Sequence, residues 1–452
     1  MHRYSSETDR LAQRVIDHAL KRIRMDPPPL DGPQPADVLS RVAGQMITEE
    51  GLGGEEALRL FADVLTPATI STDHPRFLAF VPGAPTEASI LADLLVGASS
   101  IYGGSWREGA GLVHAENETI RFLCDAAGLP ADAGGVFVSG GTAGNLSALV
   151  AARDRARRQR PDHTGRWTIL ASEEAHSSVE AAARVMDCDV ALVPTDDQRR
   201  MTGAAVAQVI ADMDPAEAAG CFAVTATSGT TNLGIIDDLA SLAETCAAND
   251  LWFHVDGAYG GAGLLAPSVR DRFDGIERAD SIIIDPHKWL FAPYDCCALL
   301  WKSPDDAVRA HTQHAGYLDT LEYGSMNPSD LAHHLSRRAR GIPLWFSLAT
   351  HGIAAYREAI EVTIGLASTA AEMIGASPVL EVVGEPSLSI VCFRRIGWSP
   401  EQYQEWSDRL LRRGLAFVTP SAVDGETVLR FCFINPLTTR DDIELILSTL
   451  VD

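Results

Sequence analysis

The chain has 452 residues, 46% hydrophobic, 22% charged and 7% aromatic, enough for two or three domains with a sizeable core. It carries 37 lysine plus arginine against 61 aspartate plus glutamate, a net charge of −24 that argues against nucleic acid or anionic membranes as partners. Its 8 cysteines form no CxxC pair, no apolar run approaches membrane length, and MHRYSSETDR lacks an apolar signal core. These features exclude a disulfide framework and a zinc module, and they predict a cytoplasmic protein with no metal site.

Residues 7–24 show helical spacing through Leu11, Val15, Ile16, Leu20 and Ile23, followed by the Pro-rich break DPPPLDGPQP. More helical pattern runs to about residue 65, an appendage whose apolar faces need the main body or a second subunit. From about 85 to 300, helical stretches alternate with apolar runs that read as seven strands: GVFVSG (135–140), WTILAS (167–172), DVALVPT (189–195), CFAVTAT (221–227), LWFHVDG (251–257), SIIIDP (281–286) and CCALLW (296–301). Runs apolar on both faces belong to a mostly parallel sheet covered by helices, and such sheets bind ligands at the carboxyl ends of their strands. After a helical stretch at 344–375, strands are predicted near 380–384, 388–395, 415–418 and 427–434, with helices at 400–413 and 439–450, a small α+β unit. The domain reading is 1–80 (N-terminal helical segment), 81–345 (large α/β domain) and 346–452 (small C-terminal α+β domain).

Only three of the basic residues are lysines: Lys21, Lys288 and Lys302. Arginine cannot serve as an amine nucleophile, whereas a lysine with a lowered pKa can. Lys21 and Lys302 read as solvated charges. Lys288 follows the strand SIIID in PHKW, where burial is expected to depress its pKa towards neutrality.

Other chemistry collects at the same strand ends. GTAGN (141–145) is a Gly-rich turn entering a helix, suited to a phosphate or merely to a tight turn. His176, in SEEAHSSVE, either caps a helix or offers a flat ring for stacking. SGTTNLG (228–234) adds hydroxyls and glycines. Asp256 ends a buried strand, either as a helix N-cap or as a carboxylate that needs a cation. A phosphate loop, a stacking ring, a buried carboxylate and a lone lysine at one sheet edge together suit pyridoxal 5'-phosphate.

Through HPRFLAFVPG (74–83), GVFVSGGTAGNLSAL (135–149), SEEAHSSVEAA (172–182), TATSGTTNLGIIDD (225–238), WFHVDGAYGG (252–261), DSIIIDPHKWL (280–290) and SRRARGIPLW (336–345), the chain resembles the group II pyridoxal-phosphate-dependent decarboxylases. This group includes the aromatic L-amino acid, histidine and glutamate decarboxylases. The resemblance implies the aspartate-aminotransferase fold (fold type I) in an obligate homodimer whose N-terminal helices embrace the partner. It implies that Lys288 bonds the cofactor aldehyde, Asp256 the ring nitrogen, and that His176 and Ala258 flank the ring. It also puts Thr227 near the phenolate side and Gly141, Thr142 and His287 near the phosphate. His74, Phe80 and Tyr102 are expected in the substrate pocket, with Gly83 and Gly104 enlarging it. Tyr323, with Tyr317 second, is expected to return the proton to the substrate's Cα from a lid.

The expected reaction is decarboxylation of an L-amino acid, an aromatic one first, to an amine. The alternatives are an acidic or other small amino acid anchored by Arg76 or Arg107, an aldehyde-forming decarboxylase, and an aminotransferase with Arg430 clamping the substrate carboxylate. A non-catalytic binding dimer is the remaining reading, opposed by Lys288, Asp256 and His176.

Overall fold

The computed structural model describes residues 2–81, 83–313 and 326–451. Its large sheet joins β1 (Gly134–Val138), β2 (Thr168–Ser172), β3 (Asp189–Val193), β4 (Cys221–Thr227), β5 (Trp252–Asp256), β6 (Ser281–Ile284) and β7 (Cys297–Trp301) in the order β1-β7-β6-β5-β4-β2-β3. β7 runs antiparallel to both its neighbours, and the remaining pairings are parallel. Successive residues point to opposite faces of a strand, and both faces are packed. Leu170, Val224, Phe253, Ile282 and Leu300 enter one buried cluster, while their neighbours Ile169, Ala223, Trp252, Ile283 and Leu299 enter another. This is the two-sided burial that the apolar runs predict.

The long helix Ile342–Gly375 packs along Glu87–Ser99 and turns at Gly352, whose φ of 78° suits glycine. The small sheet, in the order β10-β11-β9-β8, comprises β8 (Leu380–Val382), β9 (Ile390–Arg395), β10 (Pro420–Val423) and β11 (Glu426–Cys432). Phe393, Phe431, Phe433 and Trp406 fill its core. The strand expected at 415–418 is absent as a ladder: Phe417 makes one isolated bridge, to Phe77, and the strand begins at Pro420. Ala416 and Val418 are fully buried, so the apolar signal was burial without a neighbouring strand.

Glu116 and Arg337 tie the SRRARG segment to the body. They form a bidentate pair, both distances 2.7 Å, with side chains 4% and 1% exposed. Gly341 N donates to the same carboxylate at 2.8 Å. The helix Ser6–Ile23 buries none of its residues, and Val15 and Ile16 stay exposed. Among the described residues, no helix is long and apolar enough to cross a membrane.

Candidate active site

A cavity of about 810 Å³ opens at the carboxyl ends of β1, β2, β4, β5 and β6, and Gly141, Thr142, His176, Thr227, Asp256, Ala258, His287 and Lys288 all line it. In-register pairing brings this about: Thr227 lies beside Asp256, and Asp256 beside Ile283, so three strands end together. β1 delivers the Gly-rich turn into the helix Gly141–Gln159, whose first N–H groups lack helical acceptors. Gly141 keeps this approach close. A Cβ on it would stand 3.2 Å from Asp285 Oδ2, 3.3 Å from Ile283 Cδ1 and 3.4 Å from Ala258 Cβ.

Lys288 Nζ lies 3.0 Å from Asp285 Oδ2, a buried carboxylate to which the sequence reading gave no role. Burial pulls the Lys288 amine down, but Asp285 and Asp256 outweigh it and hold its pKa above the usual lysine value. The expected depression is thus reversed, because burial came with two carboxylates. His287 Nδ1 accepts from Cys296 N at 3.1 Å and lies 2.7 Å from the Cys296 carbonyl, Nε2 stands 3.6 Å from Asp285, and burial lowers its pKa. Asp256 accepts from Ala258 N at 3.1 Å and from Asn145 Nδ2 at 2.8 Å.

Several expected pocket residues lie elsewhere. Phe80 lines the cavity, 58% exposed, with φ 55° in the left-handed region. His74 does not line it. It is 2% exposed, accepts from Arg76 N at 2.9 Å, and is pushed down to about 4 by burial and by Arg76. Tyr102 does not line it either and donates to the Leu335 carbonyl at 2.9 Å. Arg76 is committed to the Leu415 carbonyl and to Asp442, and neither it nor Arg107 lines the cavity. Arg430 donates to the carbonyls of Phe80, at 2.6 Å, and Thr231, so it braces the rim and leaves no clamp for a substrate carboxylate.

Gly83 and Gly104 do not enlarge the pocket. A Cβ would stand 2.5 Å from the His287 carbonyl at the first and 2.7 Å from the Leu335 carbonyl at the second. Close backbone approach explains both glycines. Tyr323 and Tyr317 lie outside the described residues.

Three buried polar atoms, Thr227 Oγ1 and Asp285 Oδ1 of lining residues and Ser228 Oγ next to them, have no hydrogen-bond partner among the described residues. Together with the amine, the Asp256 carboxylate and the helix start, they fit a flat, polar, phosphate-bearing ligand. The arrangement suits an enzyme that uses pyridoxal phosphate.

Comparison with known proteins agrees. The pyridoxal-dependent decarboxylase conserved domain matches residues 53–396. The chain is 33% identical over 420 residues to an aromatic-L-amino-acid decarboxylase of Bacillus atrophaeus, covering 90% of this chain and 87% of that one. It is 29% identical to a histidine decarboxylase of Rattus norvegicus over 85% of this chain and 62% of the relative. A crystal structure of Oryza sativa TDC with PLP and tryptamine superposes with a TM-score of 0.90 at 25% identity, covering 100% and 99% of the two chains. The chain belongs to the pyridoxal-dependent decarboxylase family, and it is a pyridoxal-phosphate-dependent amino acid carboxy-lyase of fold type I.

Proposed function

We propose that the chain removes the α-carboxylate of an aromatic L-amino acid to give the amine. The observation that carries this reading is the cavity itself. Among the described residues its lining holds no arginine, while Phe80 stands exposed at the rim with its ring 5.9 Å from Phe417. An acidic side chain would need a fixed cation there, and Arg76 is spent on Asp442. The identity to the Bacillus atrophaeus enzyme supports the same substrate class.

Bound pyridoxal phosphate supplies an electron sink for the pair left at Cα when carbon dioxide departs. In this reading Lys288 would hold the cofactor at its aldehyde and Asp256 would keep a proton on the ring nitrogen. His176 and Ala258 would confine the ring, and Gly141, Thr142 and His287 would receive the phosphate. Thr227 Oγ1, buried and without a partner among the described residues, would serve the phenolate side. Tyr323 is the residue we assign to return the proton to Cα.

We further read the protein as a cytoplasmic homodimer with domains at 1–80, 81–345 and 346–452. The exposed Val15 and Ile16 of the first helix, and Leu91, Leu94 and Leu95 of Glu87–Ser99, support a partner subunit. A monomeric mass by light scattering would refute it.

The test of function is a panel of L-amino acids given to cofactor-loaded protein, scoring carbon dioxide and amine together. Equimolar amine from tyrosine, phenylalanine, tryptophan or DOPA is expected. Amine from glutamate or aspartate alone would overturn the substrate class. Aldehyde in place of amine, or keto acid without carbon dioxide, would overturn the reaction.

A further inference from the structure

Asn145 lies in the second turn of the helix Gly141–Gln159, 1% exposed, and its amide meets three partners from two other elements. Nδ2 donates to Asp256 Oδ2 at 2.8 Å and to Ser178 Oγ at 2.8 Å, and Oδ1 lies 2.8 Å from His254 Nε2. The donors and acceptors can be assigned from the ends inward. Trp252 Nε1 only donates, and it reaches Ser281 Oγ at 2.8 Å. The Asp256 carboxylate only accepts, so the Asn145 NH₂ faces it and Oδ1 accepts from His254 Nε2–H, and the neutral ring's Nδ1 then takes the Ser281 hydroxyl proton at 2.8 Å. His254 therefore carries its proton on Nε2.

Trp252, His254 and Asp256 stand at alternate positions of β5 and share one face, and Ser281 is the register partner of His254. Every donor in this chain points towards Asp256. Burial pushes His254 down to about 4, against the pull of Asp256, so it keeps a single proton across the neutral range and the direction holds.

The second arm runs to His176. Ser178 Oγ accepts from Asn145, so its own proton goes to His176 Nδ1 at 2.8 Å, where Ser178 N also donates at 3.2 Å. His176 Nδ1 is then an acceptor, and its proton lies on Nε2.

We infer that Asn145 is a positioning residue that sets two groups of the active site at once: it orients the Asp256 carboxylate and, through Ser178, fixes the tautomer of His176. The inference rests on reading Asp256 and His176 as cofactor-contacting residues. Asn145 itself acts only through them.

The experiment compares cofactor-loaded Asn145→Ala, Ser178→Ala and Asp256→Ala with the wild type. The readouts are kcat, KM, the pH midpoint of the visible cofactor band and the rate of cofactor loss. Asn145→Ala is expected to lower kcat by roughly 10- to 100-fold, as loss of a supporting group around a reactive centre does, with KM within about threefold. It is also expected to shift the band's pH midpoint and speed cofactor loss. Ser178→Ala cuts only the second arm, so it is expected to lower kcat while leaving the midpoint in place.

A merely structural role would lower the melting temperature of Asn145→Ala with kcat and the band unchanged, and that result overturns the inference. Should Asn145→Ala not fold, Ser178→Ala decides: a fall in kcat supports the inference, and wild-type kcat overturns it. A band unaltered in Asp256→Ala would remove the assignment of Asp256 itself, and with it the basis of the inference.

Discussion

Asp237 gives the sharpest test of the electrostatics around the site. Its carboxylate accepts from Met201 N and Thr227 N, both at 2.7 Å, and so pins the end of β4 from which Thr227 enters the cavity. Burial pushes its pKa up to about 7 from 3.8, against the two backbone donors. Asp196 and Arg200, the charged groups facing it, act in opposite senses. A rise of about three pH units corresponds to on the order of 4 kcal/mol. Because the folded-state pKa is raised, the folded protein holds a proton that the unfolded chain has released between about pH 4 and 7. The contribution to stability is therefore fully present below about pH 4 and is lost, at roughly 1.4 kcal/mol per pH unit, as the pH rises through 7.

Asp237→Asn keeps the shape without the titration. Its NH₂ faces one of the two backbone N–H donors, a cost of about 1–3 kcal/mol that does not vary with pH. Urea unfolding of the cofactor-loaded wild type and variant at pH 5, 6, 7 and 8 separates the two effects. The wild type's advantage should be greatest at pH 5, shrink steadily to pH 7 and level off by pH 8. An advantage constant from pH 5 to 8 would refute the assignment of a near-neutral titration to Asp237.

Two further outcomes are expected. Glu116→Ala leaves the Arg337 guanidinium buried without its carboxylate, so urea unfolding should show a loss of about 3–5 kcal/mol; a loss below about 1 kcal/mol would mean the pair is not buried in solution. Asp285→Asn removes the carboxylate 3.0 Å from Lys288 Nζ, so the amine's pKa should fall. In borohydride trapping of pyridoxal phosphate on the cofactor-free protein, the pH midpoint should move downward, and an unchanged midpoint would show that Asp285 does not control the amine.

The large sheet was legible because its strands, apart from the half-exposed edge strand β3, are covered on both faces, which writes a continuous apolar run into them. That the cavity's lining collects at one sheet edge was legible for a related reason: each group ends a strand or stands within a few residues of its end, where the sheet's own geometry gathers them. What stayed hidden is pairing across distant segments. Asn145 reaches Asp256 across 111 positions and Ser178 across 33, and local periodicity marks such residues as buried without naming their partners. The same blindness reversed the expectation for Lys288, where burial was read without Asp285, and misread Gly83 and Gly104 as room where backbone approaches closely. One signal could have narrowed the gap. In WFHVD a histidine interrupts an otherwise apolar strand predicted to be buried, and a buried imidazole must find hydrogen-bond partners. Asp256 lies two residues on, on the same face, so those partners had to come from the elements that also carry the site. The polar residue that looks out of place in a strand is therefore the local trace of the network that supports the chemistry at its end.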